Sequence, residues 1–367
     1  MNPPKDPLVS TGWPRTRLRL ERIGLELAIL NQEMQQQEQP TSRNSRSPTN
    51  RHGSTGATNP VVSDMSTRLN SDFEKNKFYV IPDEPPITTQ LSPEDVFEEL
   101  EVIGNGSGGN VLKMRHKPSG KICAVKQLRR TLNDEENKRI YMDLQVVLQC
   151  NCDNIVRCCG YFIKEAEVWI CMELMTTCFD KLLRLRDRRP LPEKFLGAIA
   201  ASAVKALLYL KEKHNIIHRD VKPSNILINE EGQIKLCDFG ISGKLINSVA
   251  RTRAAGCIPY MAPERIEFDS PYDIRADVWS LGMTLYELAT GRSPYAECNS
   301  DFDILTRVVN DEPPSLPDDM QFTLECRSFI SACLTKDRKQ RPKYKQLLEH
   351  AFIKKHLNTV VNLSELE

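Results

Sequence analysis

Ile217-His218-Arg219-Asp220-Val221-Lys222-Pro223-Ser224-Asn225 reads H-R-D-x-K-x-x-N, and its residue types suit one chemistry. Asp220 can accept the proton of an attacking hydroxyl. Lys222, close behind it, can steady the charge on a transferred phosphoryl group. Asn225 offers a metal ion a neutral oxygen, where a second carboxylate would bind more tightly. Arg219 is a planar donor that can grip a phosphate elsewhere. A short way downstream comes Leu236-Cys237-Asp238-Phe239-Gly240, with Asp238 placed to hold magnesium.

Upstream, Val102-Ile103-Gly104-Asn105-Gly106-Ser107-Gly108-Gly109-Asn110-Val111 is G-x-G-x-x-G-x-V. Alone, that pattern suits a dinucleotide fold equally well. Cys123-Ala124-Val125-Lys126 decides between the two, because it is a strand with a lysine at its end, not a helix. The glycine stretch is then a hairpin that covers phosphates. Ile103, Gly104, Asn105, Gly106, Ser107, Gly108, Gly109, Asn110 and Val111 become nucleotide contacts, and Lys126 reaches the α- and β-phosphates. Gly108 at the hairpin tip predicts an unusually flexible turn.

The 367 residues are 40% hydrophobic and 27% charged, enough for a large core. A net charge of +1 gives no reason to expect nucleic-acid or membrane binding. No long apolar run suggests a membrane span. Met1-Asn2-Pro3-Pro4-Lys5 lacks the apolar stretch of a secretion signal. The 12 cysteines therefore read as free thiols in a reducing compartment, the cytoplasm or the nucleus. Cys150, Cys152, Cys158 and Cys159 cluster without a C-x-x-C pair or a histidine, so they read as thiols rather than a zinc site. Cys237, beside Asp238, is a candidate reactive thiol.

Residues 1–90 differ from the rest and read as a disordered N-terminal region that carries a docking motif and a short amphipathic helix. Leu20, Ile23, Leu27, Leu30 and Met34 recur at helical spacing on one stripe. From Gln35 to Asp64 the chain is polar with almost no large apolar residues, which predicts disorder. Ser92-Pro93-Glu94-Asp95 reads as a helix start. Asn133 to Gln149 reads as a helix with Leu144, Val147 and Leu148 on one face. Val168 to Met175 is a buried-strand run ending in a short connection. Phe195 to Lys213 reads as a long helix with Ile199, Val204, Leu207, Leu208 and Leu210 inward. Asp277 to Leu288 opens another apolar helix, and Arg341 could pair with Glu264.

From about Phe97 to Phe352 the chain resembles a eukaryotic protein kinase, carried by the catalytic-loop, glycine-hairpin and lysine-strand motifs and by Ala262-Pro263-Glu264. The resemblance implies an α+β, bilobal fold. A kinase domain over 91–352 would have a small β-rich lobe (about 97–173) and a larger helical lobe (about 176–352), then a tail over 353–367. It implies ATP and Mg²⁺ as cofactors, with the connection at Met172, Glu173 and Met175 holding the adenine. Lys126, Asp220, Lys222 and Asn225 would be catalytic, and Asn225 and Asp238 metal ligands. Asp143 is the candidate carboxylate for Lys126.

Ser248-Val249-Ala250-Arg251-Thr252 is similar to the activation segment of a MAP kinase kinase, with Ser248 and Thr252 as phosphorylation sites. Glu136-Asn137-Lys138-Arg139-Ile140 points to the stress-activated branch that acts on Jun N-terminal kinases. Implied partners are a downstream stress-activated MAP kinase, an upstream MAP kinase kinase kinase that docks on about Phe329 to Phe352, and scaffold proteins. The activity implied is phosphorylation of Thr and Tyr in the substrate's activation loop. A serine/threonine kinase of another tier and a scaffolding pseudokinase are the alternatives. Lys126, Asp220, Asn225 and Asp238 all being present argues against the second. Arg15, Arg17, Leu18 and Leu20 form a candidate docking motif, with Leu25 and Leu27 after Arg19 and Arg22 as a rival.

Overall fold

The computed structural model describes residues 77–78, 87–88, 93–106, 109–129, 144, 146–163, 167–239, 257–266 and 273–366. A twisted antiparallel sheet forms the smaller lobe. It contains β1 (Lys77–Phe78), β2 (Ile87–Thr88), β3 (Phe97–Gly106), β4 (Gly109–His116), β5 (Ile122–Arg129), β6 (Cys158–Ile163) and β7 (Glu167–Glu173), in the order β2-β1-β6-β7-β5-β4-β3. The first two strands fall inside the stretch 1–90 expected to be disordered, where Lys77 pairs with Tyr161 at the sheet edge. The chain enters β3 through a short helix, α1 (Pro93–Val96), with proline at its first position as the sequence suggests.

β-branched and aromatic side chains fill the central strands, which lie at the middle of the sheet. Val125, Phe162 and Cys171 are fully buried there, with Phe97 edge-on to Phe162. Of the helix expected over Asn133 to Gln149, the described residues 144 and 146–149 are helical. Leu144 and Val147 are buried, and Leu148 is half-buried against the same core.

The larger lobe is helical. Its frame is α2 (Phe179–Leu185), α3 (Glu193–His214), α4 (Pro263–Ile266), α5 (Arg275–Thr290), α6 (Asp301–Asn310), α7 (Leu324–Cys333), α8 (Tyr344–Leu348) and α9 (Ala351–His356). α3 is rich in alanine and leucine, good helix formers. It stops at Asn215, whose left-handed backbone returns its N–H to Leu210 and Lys211. Of the positions expected to point inward, Ile199, Val204, Leu207 and Leu210 are buried, whereas Leu208 sits half-buried at the helix flank. α5 is buried on almost every side and packs on α3 and α7. It ends at Gly291, where a Cβ would lie 1.8 Å from the Arg188 carbonyl, so only glycine fits.

A small sheet, β10 (Ile234–Leu236), β9 (Ile226–Ile228) and β8 (Thr177–Cys178), lies at the seam between the lobes. Residues 353–366, read from sequence as a tail outside the domain, pack onto the helical lobe. Val361 and Leu366 are buried, the Arg186 guanidinium donates to the Leu366 carbonyl, and Lys194 meets Glu365. The stretch Phe329 to Phe352 is also built into this lobe, with both phenylalanines fully buried.

Candidate active site

α3 feeds the loop 217–225, and α5 holds it. Asp277, fully buried near the start of α5, accepts from the main-chain N–H groups of His218 (2.8 Å) and Arg219 (2.7 Å). The Tyr344 hydroxyl donates to the same carboxylate at 2.9 Å. Two backbone donors and one phenol thus satisfy a charge that would otherwise be costly to bury. Arg219 takes a left-handed conformation (φ 72°), and its carbonyl accepts from Arg265 at 2.7 Å. The Asp220 N–H donates to His218 Nδ1. The His218 proton therefore sits on Nε2, which donates to the Cys237 carbonyl at 2.9 Å.

Asp220, Lys222 and Asn225 meet within this loop. Asn225 Nδ2 donates to the Asp220 carbonyl (2.8 Å) and to Asp220 Oδ2 (2.9 Å). Lys222 Nζ lies 3.0 Å from the same Oδ2. Oδ1 of Asp220 receives no N–H or O–H donor among the described residues. Burial alone would raise the Asp220 carboxyl, but the Lys222 ammonium and the nearby Cys257 thiol outweigh it and keep the acid ionised. The Lys222 ammonium, lowered by burial, ends above its ordinary value because Asp220 faces it. Burial pushes the Cys257 thiol to about 12, so it stays protonated 3.7 Å from Lys222 Nζ.

Lys126 on β5 reaches across the cleft to Asp238, Nζ to Oδ1, at 2.6 Å. Burial would lower its ammonium, and the Asp238 carboxylate more than restores it. Asp238 has φ 60°, and Phe239 behind it is buried beside His218. The Cys237 N–H donates to the Asn225 carbonyl at 3.0 Å, which links the two loops. Burial holds the Cys237 thiol well above its ordinary value, which disfavours the thiolate that a reactive cysteine needs.

The glycine stretch forms the expected hairpin of β3 on β4, with Asn105 opposite Asn110 and Gly106 opposite Gly109. At Gly109 (φ 117°) a Cβ would lie 1.8 Å from the Gln127 carbonyl, so glycine lets the hairpin lie against β5. Ile103 and Gly104 on one strand and Val111 on the other are half-buried; Ser107 and Gly108 lie outside the described residues. Met172 is half-buried at the end of β7 and Met175 is buried beyond it. The Glu173 N–H is taken by the Arg157 carbonyl at 3.0 Å, so its amide is not available to a base. Asp143, Ser248, Thr252 and the candidate docking residues Arg15, Arg17, Leu18, Leu20, Leu25 and Leu27 lie outside the described residues.

The described site residues thus form one chain of contacts, from Lys126 through Asp238, Cys237 and Asn225 to Asp220 and Lys222. Sequence reading gave no role to Asp277, Tyr344, Cys257 or Lys235. Asp277 alone had a signal, a charged residue opening an otherwise apolar helix.

The protein kinase domain matches residues 97–353, and the chain belongs to that family. It is 50% identical over 270 residues to the dual specificity mitogen-activated protein kinase kinase mek-1 of Caenorhabditis elegans, covering 72% of this chain and 76% of that one. That relative places it among the dual specificity mitogen-activated protein kinase kinases. It is 56% identical over 272 residues to human dual specificity mitogen-activated protein kinase kinase 7, covering 73% of this chain and 65% of the relative. It is 58% identical over 268 residues to hemipterous of Drosophila melanogaster, covering 71% of this chain and 23% of the relative. The chain thus spans less than two thirds of these last two proteins.

Proposed function

We propose that this protein transfers the γ-phosphoryl group of ATP to Thr and Tyr in the activation loop of a stress-activated MAP kinase, and that an upstream MAP kinase kinase kinase switches it on. The observation that carries the reading is the convergence of Lys126, Asp220, Lys222, Asn225 and Asp238 on one cleft. The names of the relatives support the substrate class.

Asp220 takes up the substrate hydroxyl on its carboxylate, where Oδ2 already meets Lys222 and Asn225, and accepts its proton. Lys222 stays charged beside it and neutralises the phosphoryl group as it moves. Lys126, released from Asp238, anchors the α- and β-phosphates. The Asp238 carboxylate and the Asn225 side-chain oxygen are a hard oxygen set that suits Mg²⁺. When bound, that cation would neutralise phosphate charge. Asn225 has its NH₂ turned to Asp220, which leaves its oxygen facing the other way. The Glu173 carbonyl and the Met175 main chain receive the adenine, with Met172 behind it, under the hairpin of Ile103 to Val111. Ser248 and Thr252 carry the activating phosphates, which Arg219 can grip.

The test is a panel of inactive MAP kinases with the phosphorylated sites mapped. Asp220→Asn should lower turnover by about 10²- to 10⁴-fold while nucleotide still binds. Normal turnover in that folded variant, or mapping to residues outside a Thr-x-Tyr motif, would overturn the reading. Replacing Ser248 and Thr252 with alanine should leave a folded protein that an upstream kinase fails to activate. Activation equal to wild type would move the switch elsewhere.

A further inference from the structure

Glu173 closes β7, just before the connection between the lobes, and Lys235 lies on β10, three residues before Asp238. Lys235 Nζ is 2.8 Å from both oxygens of the Glu173 carboxylate. The same carboxylate accepts the Arg157 N–H at 2.7 Å, while the Glu173 N–H returns to the Arg157 carbonyl at 3.0 Å. The segment before Arg157 is itself tied to β10. Leu236 N–H donates to the Asn154 carbonyl (2.9 Å), and Val156 N–H donates to the Leu236 carbonyl (3.0 Å). Three chain segments therefore converge on one carboxylate. Side-chain exposure is 11% at Lys235 and 27% at Glu173, so the pair is largely withdrawn from solvent.

A pair so placed adds little net stability over a packed apolar equivalent, because desolvation offsets most of the attraction. Its distinctive property is geometric: one carboxylate holds the Lys235 ammonium at 2.8 Å and the Arg157 N–H at 2.7 Å, and so ties the segments that carry them to the end of β7. What it fixes is the position of β10, and hence of Asp238, relative to the connection that receives the adenine. We propose that Glu173 and Lys235 form a latch that sets the spacing between the base-binding connection and the metal-binding Asp238, so that MgATP meets a preorganised site at both ends. The proposal rests on the kinase reading of the cleft. Both residues are positioning residues: their side chains act through the backbone segments they join. Without the latch, a ligand that spans both ends must order them itself and binds more weakly. A ligand that touches only the connection is indifferent.

The experiment compares MgATP with adenosine, which carries the base and no phosphates, by titration calorimetry on the full chain. Lys235→Met keeps the stem and removes the charge. It should raise the Kd for MgATP roughly three- to tenfold and leave that for adenosine within about twofold. Kinetically, KM for ATP should rise while kcat at saturating MgATP changes less. Glu173→Gln together with Lys235→Met should cost no more than the larger single change, since they break one contact. Lys235→Arg should recover most of the affinity. Lys194→Gln, which breaks the ion pair with Glu365 on the helical lobe, serves as a control that should bind both ligands as wild type does. Equal weakening of both ligands, additive effects, or unchanged MgATP affinity in folded Lys235→Met would overturn the latch. Wild type binding adenosine but not MgATP would instead overturn the kinase reading.

Discussion

Two ion pairs of nearly equal length mark the two halves of the molecule. In the helical lobe, Arg341 meets Glu264 at 2.7 Å; in the cleft, Lys126 meets Asp238 at 2.6 Å. Distance does not separate them; surroundings do. The Arg341 side chain is 0% exposed and that of Glu264 6%. Its guanidinium also donates to the carbonyls of Thr335, Arg275 and Lys336 and lies 5.0 Å from the centre of the Trp279 ring. Every guanidinium donor is used. Lys126 touches one oxygen of a carboxylate that is 36% exposed, at the edge of an open cleft. A polyanion and a cation can divide that pair between them. The buried pair belongs to the fold, and under the proposed function the cleft pair would be the resting arrangement of a site that exchanges partners.

Arg341→Met leaves Glu264 buried without its cation and should lower the unfolding free energy by about 3–5 kcal/mol, read by urea denaturation. A loss below about 1 kcal/mol would show that the lobe relaxes around the gap. Lys126→Met should do the reverse. Its unfolding free energy should shift by no more than about 1 kcal/mol, while kcat falls by about 10²- to 10³-fold. Parallel loss of stability and activity would make Lys126 a structural residue. The smallest effect belongs to Lys194→Gln. Its pair with Glu365 is 44% and 41% exposed, so melting and turnover should match wild type within about 0.5 kcal/mol. A larger change would give the packed C-terminal segment a role in stability that its exposed pair does not suggest.

The same contrast sorts what could be read from the chain. Asp220, Lys222 and Asn225 stand within one loop, and Asp238 comes a short way on. Their roles depend on spacing that the backbone preserves over a few residues, so the catalytic loop was legible. So were the glycine hairpin and the lysine strand, because a strand after the glycines excludes the helix that a dinucleotide fold would need, although Lys126 lies inside β5 (Ile122–Arg129) and not at its end. The long helices were legible from apolar periodicity, with an error only at flanking positions such as Leu208. The exchange between Arg341 and Glu264 was legible as a pairing of two marked residues, but not its burial or the carbonyls that complete it.

Residue type and local spacing were enough to mark Lys126, Asp220, Lys222, Asn225 and Asp238 as a candidate set, and these residues do meet in one cleft. Tertiary structure alone decided what holds those residues in place. Asp277 grips the catalytic loop from 58 and 59 residues away, and Tyr344 holds Asp277 from 67 residues further along the chain. Glu173 meets Lys235 across 62 residues, and the segment after residue 352 returns to cover α2 and α3. The reason is physical. A buried charge must find its partners wherever packing brings them, and no local pattern in the chain records which distant strand or helix that will be.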